Sequence, residues 1–471
     1  MQVLRLRVIS VNDVYSLENL PRLKNLVAHR VATDPADAVL VVIAGDFVAP
    51  TLLSALDAGR GMVDCLHEIG ITHACLGNHE NDIPAAELHA RVHELRAAWL
   101  STNVPFDPVM PRRAVVEVAR GEARVRVGLV GVVMNDAFVT HGEAFGGAPI
   151  EPPVPAALAE AARLLRDEHC DCIVALTHQP LPDDRRLAEQ AAAAGIPLPL
   201  IVGGHEHVPF LEQASRSQIV KSGMDAAAAC ISELVWNGGG IPAVTARREP
   251  VAGYPEDAAL RARVDAHMAK LGAIADTTIV ALAPGATLSS IGARSQQTTF
   301  GTLVCSRLRD ALRADACVLN GGGIRGAREY RTRLTYADLR TEMPFRNELV
   351  VAPLPGGVVR DAIAASRARA PQEHGGFLQV DDGIAVEGTT VTAIAGAPID
   401  DEREYRVALV RDLFAGLDHI EPLERFAREH PDRIPPPTTG RDIRHFLVEA
   451  FGGELGRTSA GFAPRHTGEQ A

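Results

Sequence analysis

Leu76-Gly77-Asn78-His79-Glu80-Asn81-Asp82 packs an amide, an imidazole and a carboxylate into five residues just behind the apolar run that starts at Ile71. The run reads as a strand and the polar stretch as the turn that leaves it. Asn78 offers a carbonyl oxygen suited to a hard or borderline divalent metal. His79 can give a proton or a charge-assisted hydrogen bond to a phosphoryl oxygen, and Asp82 can hold its ring in one tautomer. Alone, such a turn is more often a cap than a site. Its weight comes from what the rest of the N-terminal half does.

The same strand-then-ligand pattern recurs there. Val39 to Ala44 leads into Gly45-Asp46, Cys172 to Leu176 into Thr177-His178, and Leu200 to Val202 into Gly203-Gly204-His205-Glu206-His207. A first strand within Met1 to Ser10 runs into Asp13. Apolar strands alternate with Ala- and Leu-rich helical segments, the pattern of α/β proteins, which place their sites at strand ends. The candidate ligands are therefore Asp13, Asp46, Asn78, His178, His205 and His207. A two-metal site needs one bridging carboxylate, and Asp46 is the natural one. His205 and His207, two apart on an extended chain, point the same way and can serve neighbouring ions.

Composition bounds the function classes. The 471 residues exceed one ordinary core, so two or three domains are expected. Hydrophobic residues at 46% and charged residues at 23% are those of a soluble globular protein. Lys plus Arg number 47 against 59 Asp plus Glu, a net charge of -12, which argues against a nucleic-acid polymer or an anionic membrane as main partner. A small anionic substrate fits. No apolar run approaches the roughly 18 residues of a spanning helix. The opening strand leaves no room for a removable signal peptide, and the seven Cys, mostly in apolar contexts, read as buried free thiols of a cytoplasmic protein. Oligomeric state is not legible.

The pattern changes between Pro250 and Thr278, where Leu260, Val264, Met268 and Leu271 fall at helical spacing. The expected division is a catalytic domain over 1–250, a linker helix over 251–278, an α+β domain over 279–453 and a polar tail over 454–471.

The order D-x-Y, GD, GNHExD, TH and GHxH resembles the calcineurin-like metallophosphoesterases, and more narrowly their 5'-nucleotidase branch. In the C-terminal half, Asn320-Gly321-Gly322-Gly323-Ile324-Arg325 matches that branch's NGGGIR motif. Pro344-Phe345-Arg346-Asn347 matches PFxN, Gly375 to Gln379 matches GGFLQ, and Arg294 stands seven residues before Gly301-Thr302-Leu303, where the family has GNL. The likeness runs from Leu6 to about Asp418. It implies a four-layer αββα metallophosphoesterase sandwich followed by an α+β substrate domain. It also implies two divalent ions (Mn, Zn, Co or Mg). Asp13, Asp46 and His207 would hold one, and Asp46, Asn78, His178 and His205 the other. His79, oriented by Asp82, would stabilise the phosphoryl transition state, and Arg294, Asn320, Arg325 and Asp418 would bind substrate. The implied reaction is hydrolysis of a small phosphate monoester by metal-bound hydroxide, with no phosphoenzyme.

Three departures bear on this. Tyr15 stands where the family has a His; as a poorer neutral ligand it leaves the first ion weaker, completed by water, or different in identity. Glu80-Asn81 replaces Glu-Phe, a change expected to affect packing alone. The two Phe rings that sandwich a base align with Leu349 and Asp412, with Phe414 nearby. Stacking contributes roughly 1–3 kcal/mol per base, so a sugar phosphate stands as an alternative to a 5'-nucleotide. A 2',3'-cyclic-nucleotide phosphodiesterase would use the same centre, and a phospholigand-binding protein whose catalysis decayed through the Tyr15 change is the remaining alternative.

Overall fold

The computed structural model describes residues 3–49, 51–135, 144–238, 240–345, 347–435, 441–443, 446–447 and 451. The expected tail over 454–471, and Arg346 of the PFxN motif, lie outside the described residues. The chain divides into two compact units, Met1–Lys270 and Leu271–Ala471.

Unit 1 contains strands β1 (Leu4–Val11), β2 (Ala38–Ala44), β3 (His73–Cys75), β4 (Ala98–Leu100), β5 (Arg113–Arg120), β6 (Ala123–Val133), β7 (Cys172–His178), β8 (Leu200–Gly204), β9 (Phe210–Ala214), β10 (Ser217–Lys221), β11 (Ala228–Trp236) and β12 (Ala243–Pro250). They form two six-stranded sheets, in the orders β12-β11-β1-β2-β3-β4 and β5-β6-β7-β8-β10-β9. The centre of each is parallel: β1 to β4 in the first, β6, β7, β8 and β10 in the second. Antiparallel strands close the outer edges, apart from β4.

One face of each sheet meets the other across a core of Leu4, Leu6, Val8, Leu40, Val42, Leu129, Val174, Leu176, Val202 and Trp236. The alternate residues of β6 to β8, among them Val132, Ile173, Ala175 and Ile201, pack under the helices Pro153–Asp167 and Leu181–Ala193. On the far side of the first sheet, buried Arg7 donates to the carbonyls of Arg30 and Asp34 at the end of the helix Leu20–Thr33. Strands buried on both faces read as continuous β-branched runs, which is why β2, β7 and β8 were visible in the sequence.

The helix in the stretch expected as a linker runs Ala258–Ile274. It buries Leu260 and Val264, and Arg261, Arg263 and His267 pair with Glu18 and Asp64 within unit 1.

Unit 2 is built on a five-stranded mixed sheet in the order Leu378–Val380, Ala316–Asn320, Glu404–Val410, Glu348–Pro355, Arg441–Asp442. The helix Thr299–Ala311, capped by the Thr298 hydroxyl on the amide of Gly301, covers it with Phe300, Val304 and Leu308.

Candidate metal centre

Parallel strands put their C-terminal ends on one side of a sheet, and β7 and β8 finish level, with His178 paired to Gly204. Each candidate ligand sits at such an end. Asp13 and Asp46 follow β1 and β2 with φ of 54° and 56°, and His205 follows β8 with φ of 81°. These left-handed turns are uncommon for non-glycine residues and are strained conformations typical of functional sites. They turn the side chains across the strand ends. Gly77 is required beside them: a Cβ there would collide with the Asp46 carboxylate and backbone.

The structure brings all six ligand candidates together. Asp13, Asp46 and His178 offer atoms within 4.8 Å of one another, all buried. Asp46 Oδ2 lies 3.1 Å from His178 Nε2, and its Oδ1 accepts from the amide of His79 at 2.8 Å. Asp13 Oδ2 accepts from Asn12 at 2.6 Å and from the amide of His205 at 2.9 Å, while its Oδ1 lies 3.7 Å from His207 Nε2. His205 Nδ1 is 3.2 Å from Asn78 Oδ1. His79 Nδ1 meets Asp82 Oδ2 at 2.7 Å, and its Nε2 comes to 3.9 Å from Asp46. His79 thus touches the ligand group from its rim.

The buried carboxylates and imidazoles of the centre perturb one another's protonation. Burial pushes the Asp13 carboxyl up, with Asp46 adding to it against the pull of His178. Burial works against ionised Asp46 too, but His178 and His79 outweigh it and hold that carboxyl below the usual range. Burial alone would lower His178, yet Asp46 and Asp13 push it up to about 10. Burial and the neighbouring His178 keep His205 low.

A divalent ion fits this set. His178 donates its Nδ1 proton to the carbonyl of Ala44 at 2.8 Å, so Nε2 is the atom that would give up its proton to bind an ion. His205 Nε2, buried, makes no hydrogen bond among the described residues, and His178 Nε2 faces the Asp46 carboxylate. Buried polar atoms without partners are costly, and imidazole nitrogens beside two carboxylates are borderline-metal ligands.

Several supporting residues escaped the sequence reading. Glu80, fully buried, accepts backbone amides from Asp46, Phe47, Val48 and Gly77, tying the β2 and β3 turns together. Asn81 does more than pack: its Oδ1 accepts the amide of Phe145 at 2.6 Å. Asn12 links Asp13 to Ser222 after β10. Lys221, buried, donates to the carbonyls of Gln179 and Gly204 and pairs with Asp184 and Glu206, locking the turn that carries His205 and His207. Polar residues inside a GHEH-type stretch are the only sequence cue to that network.

Unit 2 holds the other candidates. Asn320 donates to Asp418 Oδ2 at 2.7 Å. The Gln379 amide clamps the Arg294 segment, donating to the carbonyls of Ala293 and Gln296 and accepting from Thr298. The Arg294 Nε is buried with no hydrogen-bond partner among the described residues. Arg325 is exposed, its guanidinium 5.5 Å from the centre of the Phe345 ring.

The calcineurin-like phosphoesterase family matches residues 6–209, and the 5'-nucleotidase C-terminal domain matches residues 273–425. The chain is a calcineurin-like phosphoesterase with a 5'-nucleotidase C-terminal domain. It is accordingly a hydrolase acting on phosphate monoesters, of a class that uses divalent metals. It is 23% identical to Protein UshA of Yersinia enterocolitica over 389 residues, 72% of this chain and 70% of that one. Among solved structures, the NAD nucleotidase of Haemophilus influenzae superposes with a TM-score of 0.76 at 14% identity, covering 100% of this chain and 99% of that one. The 5'-nucleotidase precursor of Thermus thermophilus gives 0.56 at 20% identity, with 96% of each chain covered. At those identities the structures speak for the fold alone.

Proposed function

We propose that this phosphoesterase is a 5'-nucleotidase-like phosphatase that holds two divalent ions and hydrolyses small phosphate monoesters. The observation that carries the reading is the buried group of Asp13, Asp46 and His178, whose ligand atoms lie within 4.8 Å of one another; Asp46 is the carboxylate assigned to both ions, with Asp13 and His207 for one and Asn78, His178 and His205 for the other. Ions bound there would activate water and neutralise charge on the transferring phosphoryl group. The protein's own work is to hold those ligands, and to place His79. Asp82 takes the proton of His79 Nδ1 into its hydrogen bond, so Nε2 faces the ligand group and serves as donor or acceptor to the substrate according to its protonation. No side-chain nucleophile is needed.

Arg294, Asn320, Arg325 and Asp418 are proposed to recognise the substrate. Guanidinium groups match phosphate and carboxylate oxygens, and the Asp418 carboxylate suits sugar hydroxyls. One observation favours a substrate other than a nucleotide. Leu349 and Phe414 are buried, Asp412 is no ring, and exposed Phe345 already carries Arg325. A sugar phosphate needs no stacked rings. The buried thiols suit a reducing compartment, and the cytoplasm is the proposed location.

The test is a panel of nucleotides, sugar phosphates and cyclic nucleotides, with p-nitrophenyl phosphate as reference, run on metal-stripped and Mn-, Co- or Zn-loaded protein. Turnover of at least one monoester that depends on added metal is expected. Binding without turnover across the panel would refute the enzyme reading, and equal turnover by stripped protein would refute the metal centre.

A further inference from the structure

Tyr15 stands where the family pattern has a His, and its hydroxyl meets three of the centre's ligand candidates. It lies 3.1 Å from Asp13 Oδ1, 3.1 Å from Asp46 Oδ2 and 3.2 Å from His207 Nε2. The ring is held in place by its surroundings. Its backbone amide donates to Asp225 Oδ1, and it packs edge-on against the rings of His207 and His79.

A hydroxyl carries one proton, so it satisfies one carboxylate oxygen at a time. The other then faces it acceptor to acceptor at hydrogen-bond distance. The spacings suit a different arrangement. Ligands on a tetrahedron with bonds of about 2.0–2.2 Å stand about 3.3–3.6 Å apart. The separations of 3.1, 3.1 and 3.2 Å from Tyr15, with 3.7 Å between Asp13 Oδ1 and His207 Nε2, bracket that edge length. Tyr15 Oη therefore occupies a corner of the ligand group, where a plug in its centre would instead hold the other ligands further apart.

We infer that Tyr15 Oη is a direct ligand of the ion held by Asp13, Asp46 and His207, and that it makes this ion the more oxygen-preferring of the two. The group then presents three oxygens and one nitrogen, against two oxygens and two nitrogens from Asp46, Asn78, His178 and His205. Oxygen-rich sets suit manganese-type ions and imidazole-rich sets suit zinc. This rests on the two-ion reading above, so the experiment separates the two.

The full-length chain is stripped of metal and titrated with Mn2+, Zn2+ and Co2+, with bound ions counted by equilibrium dialysis and the visible absorption of the Co2+ form recorded. Wild type is expected to take two ions. Tyr15→Phe should keep one at unchanged affinity and lose the other by at least about 10-fold, the lower end of what removing even an outer partner of a ligand costs. Its Co2+ spectrum should change, because a lost ligand alters the ion's geometry. Tyr15→His should restore two ions and shift the Mn-to-Zn preference of the weaker site towards zinc. Two ions at wild-type affinity with an unchanged Co2+ spectrum in Tyr15→Phe would overturn the inference. So would a wild-type Mn-to-Zn preference in Tyr15→His, which serves if the Phe variant fails to fold. A wild-type chain that binds no ion would instead overturn the metal centre itself.

Discussion

Replacing Glu80 by Gln changes one atom's chemistry and no shape, yet it should cost as much as many core truncations. Glu80 Oε1 accepts the amides of Phe47 at 2.8 Å and Val48 at 3.0 Å, and Oε2 accepts those of Asp46 at 2.9 Å and Gly77 at 2.5 Å. Whichever way the Gln amide is turned, its nitrogen faces two N–H groups. Each buried donor left without an acceptor costs about 1–3 kcal/mol, so the loss spans roughly 2–6 kcal/mol. Burial, with Asp46 nearby, raises the Glu80 pKa, so the native carboxylate is held at some cost. Removing that charge offsets part of the loss, and about 2–4 kcal/mol is expected, a large part of a domain's usual stability. Urea denaturation of the metal-free protein measures it. Metal affinity should fall in parallel, since the freed amides belong to the turns that hold Asp46 and Asn78. A change below about 1 kcal/mol with unaltered metal affinity would refute the clamp.

Asp46→Asn or His205→Ala should abolish metal-dependent turnover in a chain that still folds, since each lies at a strand end outside the apolar core; unchanged turnover of metal-loaded protein would remove the residue from the site. His79→Ala should retain both ions and lose about 10²–10³ in turnover, the usual loss for one transition-state donor, and a parallel loss of metal would make His79 a ligand instead. Lys221→Met leaves Asp184 and Glu206 buried without their cation and should destabilise by about 3–5 kcal/mol, read by urea denaturation at pH 8. Burial lowers the Lys221 pKa, but Asp184 and Glu206 raise it above 10.5 overall. A raised folded-state pKa means the stabilisation is full below 10.5 and fades as pH rises through the folded value, so the gap between wild type and variant should narrow in alkaline urea melts.

The sequence by itself determined the α/β layout of unit 1 and the strand ends at which its ligands lie. Runs such as Val39 to Ala44 and Cys172 to Leu176 can be little else than strands buried on both faces, and a polar residue at the end of a parallel strand has few places to point. Glycine-rich motifs likewise marked the turns of unit 2. What tertiary structure alone decided is which polar groups meet. Tyr15 read as a weakened substitute, yet its hydroxyl touches Asp13, Asp46 and His207, partners 2, 31 and 192 residues away. Glu80 serves amides more than 30 residues back in β2's turn, and Lys221 reaches Gln179 across 42. Apolar periodicity is a local property, repeated every two or 3.6 residues, so a chain displays it in order. Hydrogen-bond partners and ligand groups are set by where separate strands end, and only the closed sheets bring those ends within reach.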